Sequence, residues 1–154
     1  MKELTADREF RSSYHRTRIN ILYSAILLNE YVREFMEQYD LTPQQHNILR
    51  IVYNSDKPMN VLQIRDRMFE KLSDASRLID RLEAKGLLQK KKSTTDKRLV
   101  EITLTEAGRQ LTENIATVIL ELDEPLKGLD ETEADMLSGL LEKMRKNGFK
   151  NFVR

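Results

Sequence analysis

Residues 72–104 read LSDASRLIDRLEAKGLLQKKKSTTDKRLVEITL, and their pattern decides the fold. Ala75, Leu78, Ile79 and Leu82 recur at helical spacing, so they share one face and belong to a core. At about 100° per residue the opposite face carries Ser73, Arg77 and Asp80, flanked by Ser76 and Arg81. Gly86 stands where such a helix would stop, with Lys85 in its last turn. Beyond it, Val100, Ile102 and Leu104 alternate with Leu99, Glu101 and Thr103, which is strand periodicity. Between the two apolar segments lies KKKSTTDKR, residues 90–98, a cationic turn. A polar-faced helix beside a basic hairpin predicts a winged helix-turn-helix. One element suits the major groove, and the other reaches along the backbone or into the minor groove.

The flanks of this stretch complete the frame. Thr42, Pro43 and Gln45 make a sharp helix start, with Ile48, Leu49 and Val52 turned inward. Lys57-Pro58 ends that helix, and Asn60 with Gln63 opens a second short one toward Phe69. Further out, residues 8–39 form a helical candidate free of Gly and Pro. Ile19, Leu22, Tyr23, Ile26, Val32, Phe35, Met36 and Tyr39 keep its spacing. Thr105-Glu106-Ala107-Gly108 opens another, in which Leu111, Ile115, Val118 and Leu122 form a coiled-coil-like seam that Pro125 and Gly128 interrupt. A last helix from Asp130 or Thr132 carries Met136, Leu137, Leu140, Leu141 and Met144, followed by an apolar tail of Phe149, Phe152 and Val153.

The fold expected is therefore mainly α with a small β-hairpin wing. Residues 1–40 form an N-terminal dimerisation helix, 41–104 the winged helix-turn-helix, and 105–154 the C-terminal dimerisation helices. Both ends carry amphipathic helices that the central module does not need for its own core, and a two-fold dimer would cover them. An all-helical monomer that packs them internally is the alternative.

Net charge is only +1, but its distribution is uneven. Residues 57–98 hold 12 basic and 6 acidic side chains, whereas 1–56 hold 7 and 8, and 99–154 hold 7 and 11. Basic charge concentrated on the helix and hairpin is the footprint of a phosphate-contacting face. The chain has no cysteine, which removes disulfides, thiol redox sensing and thiolate metal sites. No apolar run approaches the ~18 residues of a membrane span, and the charged start MKELTADREFR lacks a signal core. A cytoplasmic protein is expected.

Four linked motifs carry a family resemblance: Leu41-Thr42-x-x-Gln45-x-x-x-Leu49; Ser76-Arg77-Leu78-Ile79-Asp80-Arg81-Leu82-Glu83-x-Lys85-Gly86-Leu87; Asp96-Lys97-Arg98; and Leu104-Thr105-x-x-Gly108. In this order and spacing the chain resembles the multiple-antibiotic-resistance regulator (MarR) family of bacterial winged-helix regulators. The resemblance implies a homodimeric, double-stranded DNA-binding repressor, and a two-fold dimer would present its two recognition helices to the half-sites of a palindromic operator. It implies that the helix from Ser73 to Lys85 reads the major groove, and that Arg98 enters the minor groove held by Asp96. Physical chemistry is compatible with each role. Arg77, central on the exposed face, can pair bidentately with guanine or clamp a phosphate. A narrow minor groove attracts an inserted arginine, and Asp96 can orient it.

The DNA-contacting candidates are Ser73, Asp74, Ser76, Arg77, Arg81, Lys91, Lys92, Asp96, Lys97 and Arg98. Asp74, Ser76, Arg65 and His46 depart from what is common in the family, which bears on the base sequence read and not on the mode of binding. The resemblance also implies release by a small aromatic or phenolic effector. Tyr14, His15, Arg16, Tyr23, His46 and Tyr53 are the candidates to line its cleft, although Tyr and His at such spacings also serve as core residues. No glycine-rich phosphate loop, nucleophile–base set or His/carboxylate metal motif is present, so neither an enzyme nor a cofactor or metal site is expected. Asp80 and Glu83 read as local partners for Arg77, Arg81 and Lys85. A winged-helix module that binds protein instead of DNA is the alternative from another class.

Overall fold

The computed structural model describes residues 9–68, 74–92 and 100–149. Five helices and a hairpin come first: α1 (Ser13–Glu37), α2 (Pro43–Tyr53), α3 (Val61–Arg67), α4 (Ala75–Ala84), β1 (Leu88–Lys92), β2 (Val100–Leu104) and α5 (Glu106–Val118). A 3-10 stretch, Ile119–Leu126, and α6 (Glu131–Gly148) follow. The chain divides into two compact units after Ile119, and each is described by itself.

Local chemistry sets the element starts. Thr42 accepts from the Gln45 N–H at 3.2 Å while the Gln45 side chain accepts from the Thr42 N–H at 2.9 Å, the reciprocal capping box expected of α2. Asn60 and Gln63 do the same for α3, and Asp130 and Glu133 for α6. Ser12 caps α1, which begins later and ends earlier than the 8–39 span expected. Its 25 residues reach about 37 Å. Asp40 beyond it adopts φ 53°, and Lys85 ties that corner down by pairing with the Asp40 carboxylate at 2.9 Å.

In the first unit α1 to α5 and both strands share one core. Met36, Ile48, Leu49, Ile64, Ile79, Leu82, Leu88, Ile102 and Ile115 are its fully enclosed side chains. Each contributes roughly 1.5–3 kcal/mol of transfer free energy. The strands pair antiparallel with Leu88 opposite Leu104, Lys90 opposite Ile102 and Lys92 opposite Val100. Met59 bridges the other edge of β2: it exchanges both backbone hydrogen bonds with Ile102, at 3.1 and 2.7 Å. That bridge fixes the start of α3 to the root of the wing.

The junction into α5 is tight. The Thr105 N–H donates to the Leu87 carbonyl at 3.1 Å, and its hydroxyl donates to the Gly86 carbonyl at 2.6 Å while accepting from the Gly108 N–H. A Cβ at position 108 would stand 2.0 Å from the Leu87 carbonyl oxygen, so only glycine fits. The compact first unit thus runs on through α5, past residue 104. The expected seam is not one continuous α-helix. Ile115 is buried in the first unit's core, and the α-helix gives way to 3-10 geometry at Ile119, ahead of Pro125. Proline lacks the N–H an α-helix needs there and crowds the preceding turn.

In the second unit α6 buries none of its side chains. Met136, Leu137, Leu140 and Met144 are exposed along it. Of the apolar tail, Phe149 is exposed; Phe152 and Val153 lie outside the described residues. No helix among the described residues is long and apolar enough to cross a membrane.

Candidate nucleic-acid interface

Helix α4 has two sharply different faces. Ala75, Leu78, Ile79 and Leu82 are buried, whereas Ser76, Arg77, Asp80 and Arg81 are exposed. Asp74 occupies its N-cap position but makes no side-chain cap bond. Its carboxylate stays exposed beside the positive end of the helix. At the other end Gly86, at φ 71°, lets its N–H reach the Glu83 carbonyl (2.8 Å) and the Leu87 N–H reach the Leu82 carbonyl (3.0 Å). This Schellman turn satisfies two orphan carbonyls and sends the chain straight into β1.

The charges on this surface pair differently from the sequence expectation. Asp80 and Glu83 do not engage Arg77, Arg81 or Lys85. Both turn to Lys90 of β1, whose ammonium lies 2.8 Å from Glu83 Oε2 and in direct contact with Asp80 Oδ1. The pairing follows from strand alternation. Lys90 sits opposite the buried Ile102, hence on the face of the hairpin that looks at α4. The hydrogen bonds to Asp80 and then to Glu83 hold the Lys90 ammonium above its ordinary pKa. Lys85 is occupied at Asp40. Among the described residues Arg77 and Arg81 are left with no ion-pair partner, and Lys91 and Lys92 are exposed on the outer wing. The described candidates are all exposed: Asp74, Ser76, Arg77 and Arg81 at the start of α4 and along it, and Lys91 and Lys92 at the end of β1. Ser73, Asp96, Lys97 and Arg98 lie outside the described residues.

Comparison with known proteins agrees with this geometry. The family model described as "MarR family" matches residues 39–99, from just after α1 to just before β2. The HTH-type transcriptional regulator MhqR of Bacillus subtilis (strain 168) is 29% identical over 122 residues, covering 78% of this chain and 83% of that protein. Among solved structures, the S. aureus MepR–DNA complex superposes with a TM-score of 0.71 at 25% identity, covering 90% of this chain and 98% of the other. A MarR transcription factor from Planctomyces limnophilus gives 0.66 at 29% identity, covering 89% and 98%. Over residues 39–99 the chain matches the MarR family model, and it is similar to MarR-family regulators along most of its length. It stands among transcriptional regulators and not among enzymes.

The six effector-site candidates are spread out. Tyr14, 87% exposed, His15 and Arg16 lie on the first turn of α1, and His15 Nδ1 accepts from the Arg11 N–H at 3.3 Å. Tyr23 lies half-buried two turns on. His46 and Tyr53 occupy opposite ends of α2, about 10 Å apart along its axis. Burial, and then the charge of Arg50, lower the His46 pKa. The Tyr53 hydroxyl donates to Glu113 Oε1 at 3.1 Å, with the Arg109 guanidinium 5.5 Å from its ring. That hydrogen bond, followed by burial and the Glu113 charge, raises the tyrosine pKa against the opposing Arg109. The main clefts are lined by other residues. One of about 340 Å³ lies between Asn29, Arg33 and Glu37 of α1 and Pro43 and Gln44 of α2.

Sequence reasoning passed over three residues of this region. Lys90 looked like one more wing cation, although its even-numbered register with the inward-facing Ile102 was the available signal. Met59 gave none, since a single bridging residue has no periodicity. Gly108 stood in a motif whose physical reason, the approach of Leu87, is invisible along the chain.

Proposed function

We propose that this chain is a sequence-specific double-stranded DNA-binding repressor that acts in the cytoplasm as a homodimer on an inverted-repeat operator. The observation that carries the reading is the exposed face of α4, a helix packed on the basic strand β1, where Arg77 and Arg81 have no acidic partner among the described residues. An unpaired arginine on a helix that fits the major groove can take a guanine edge with both arms. Lys91 and Lys92 suit phosphates, and contacts of that kind supply affinity without sequence preference. As the family resemblance implies, Arg98 would read the adjacent minor groove, held by Asp96, with Ser73 and Lys97 as further candidate contacts.

Dimerisation rests on the uncovered apolar stripes: Leu22, Ile26 and Leu27 on α1, and Met136, Leu137, Leu140 and Met144 on α6. Exposed stripes of this size mark interaction surfaces. A two-fold dimer sets two copies of α4 about 34–36 Å apart, one turn of duplex. The likeness to MepR, solved with DNA, supports the same mode of use. A small aromatic or phenolic effector would act by binding one spacing of the two α4 helices better than the other. Tyr14, His15, Arg16, Tyr23, His46 and Tyr53 remain its candidate contacts.

Footprinting on the DNA flanking its own gene tests the proposal. The wild-type protein should protect an inverted repeat, and Arg77→Ala should lose about 1–3 kcal/mol of affinity for it. Failure to protect any duplex at low salt would sink the reading and leave a winged-helix module that binds protein.

A further inference from the structure

We propose that Lys90 is a positioning residue of the DNA-binding surface. It fastens the root of the wing to α4 and silences two carboxylates on the reading helix, and it does not itself touch DNA. The inference rests on the DNA-binding reading above.

Three consecutive lysines on a wing suggest three phosphate contacts, but strand geometry separates them. Leu88, Lys90 and Lys92 point to the face shared with Ile102, and Gln89 and Lys91 to the other. Leu88 and Ile102 are enclosed, and Lys90, next along, is the residue whose side chain crosses to α4. Its side chain is only 24% exposed, against 63% for Asp80 and 41% for Glu83. An ammonium has three donors, and here two of them are committed to carboxylates.

The acceptors matter as much as the donor. Asp80 lies one turn beyond Arg77 on the exposed face, and Glu83 follows at the edge nearest the hairpin. Left unpaired, both would set negative charge beside any phosphate that Arg77 or Arg81 approached. With Lys90 shared between them, one of the two negative charges on that edge of α4 is cancelled, and neither carboxylate is paired with the two arginines. The same bridge ties β1 to α4 close to the point where the wing leaves the core. Only Gly86 and Leu87 separate the helix cap from the strand, so the clamp and the Schellman turn together fix the strand's direction.

The test compares DNA affinity across a salt series for wild type, Lys90→Met and Lys90→Met/Asp80→Asn/Glu83→Gln. Methionine keeps the aliphatic stem that covers Ile102 and removes only the charge. Lys90→Met should bind about three- to tenfold more weakly, the range expected when exposed pairs are lost. Its slope of log K against log salt should match wild type, because no phosphate contact is lost. The triple variant should recover most of the affinity, since the carboxylates that Lys90 silenced are gone.

A slope lower by about one unit in Lys90→Met, with no recovery in the triple variant, would mean that Lys90 contacts phosphate, and would overturn the proposal. Affinity unchanged in Lys90→Met would overturn it too. Hydrogen exchange on the free protein separates this proposal from the reading beneath it. If the wild-type protein ignored DNA, the clamp would still predict faster exchange at the β1 amides of Lys90→Met, and unaltered exchange there would defeat it. If Lys90→Met did not fold, Lys90→Gln would carry the same comparison.

Discussion

Helices α4 and α6 carry the same kind of pattern, an apolar stripe at helical spacing on an otherwise charged cylinder. In α4 that stripe is closed: Ala75, Leu78, Ile79 and Leu82 are all buried. In α6, nearly twice as long, none of the residues is buried, and Leu140 is 59% exposed. Periodicity says that a face needs cover, but it does not say whether the cover comes from the same chain. For α4 it does, because α2, α3 and β1 all pack on it. For α6 the cover is the second copy proposed above. Truncating each stripe should therefore give opposite kinds of result. Leu82→Ala should cost roughly 2–5 kcal/mol in denaturant unfolding whatever the protein concentration. Leu140→Ala should change dilute-chain stability by less than about 0.5 kcal/mol and instead raise the concentration at which the dimer forms. Equal losses for both would erase the distinction between them.

Glycines sharpen the same contrast. Gly108 faces the Leu87 carbonyl so closely that an added methyl must push backbone aside, and Gly108→Ala should destabilise by about 1–3 kcal/mol or more. Gly139, inside α6, has nothing within 4 Å of where a Cβ would stand. There alanine only improves helix propensity, and Gly139→Ala should stabilise by roughly 0.5–1 kcal/mol. Thermal melts of the two variants, taken side by side, should shift in opposite directions. A stabilised Gly108→Ala would mean that the junction into α5 is looser than the close approach to Leu87 requires.

What was legible in the sequence follows the range of the interactions concerned. The caps at Thr42 and Asn60 are written within four residues and stand where the spacing put them; of the two starts open to the last helix, Asp130 takes the cap. The inward face of α4 was legible for the same reason, since one helix turn decides it. Asp80 and Glu83 were misread because their own helix offered three nearby cations. The partner they take lies across a turn, on a strand whose register only the Met59–Ile102 bridge and the β1–β2 pairing fix. Pro125 announced an interruption, but not that the α-helix would end at Val118, with Ile115 already committed to the core. As for the surface, helical spacing marked Arg77 as central on the exposed face of α4. That it stands without an acidic partner among the described residues depends on Lys90 having drawn the carboxylates away, which no local pattern encodes.

The smallest effect expected is one of pH, and it belongs to the closed unit alone, since α6 contains no histidine. His46 lies on the first turn of α2, half-buried, with Arg50 one turn further along. Burial disfavours its charged form, and the Arg50 charge adds to this, so its folded pKa lies below the 6.5 of an unfolded chain. The unfolded state therefore binds the proton more readily, and stability falls as pH drops through and below about 6.5. Above that value both states hold a neutral imidazole, and the contribution is flat. Replacing His46 by Gln removes the titration while keeping a polar side chain of similar reach. Urea midpoints measured between pH 7.5 and 5.5 should decline less for His46→Gln than for wild type. Parallel declines would place the acid sensitivity of the closed unit on its carboxylates, and the burial of His46 would then carry no energetic consequence.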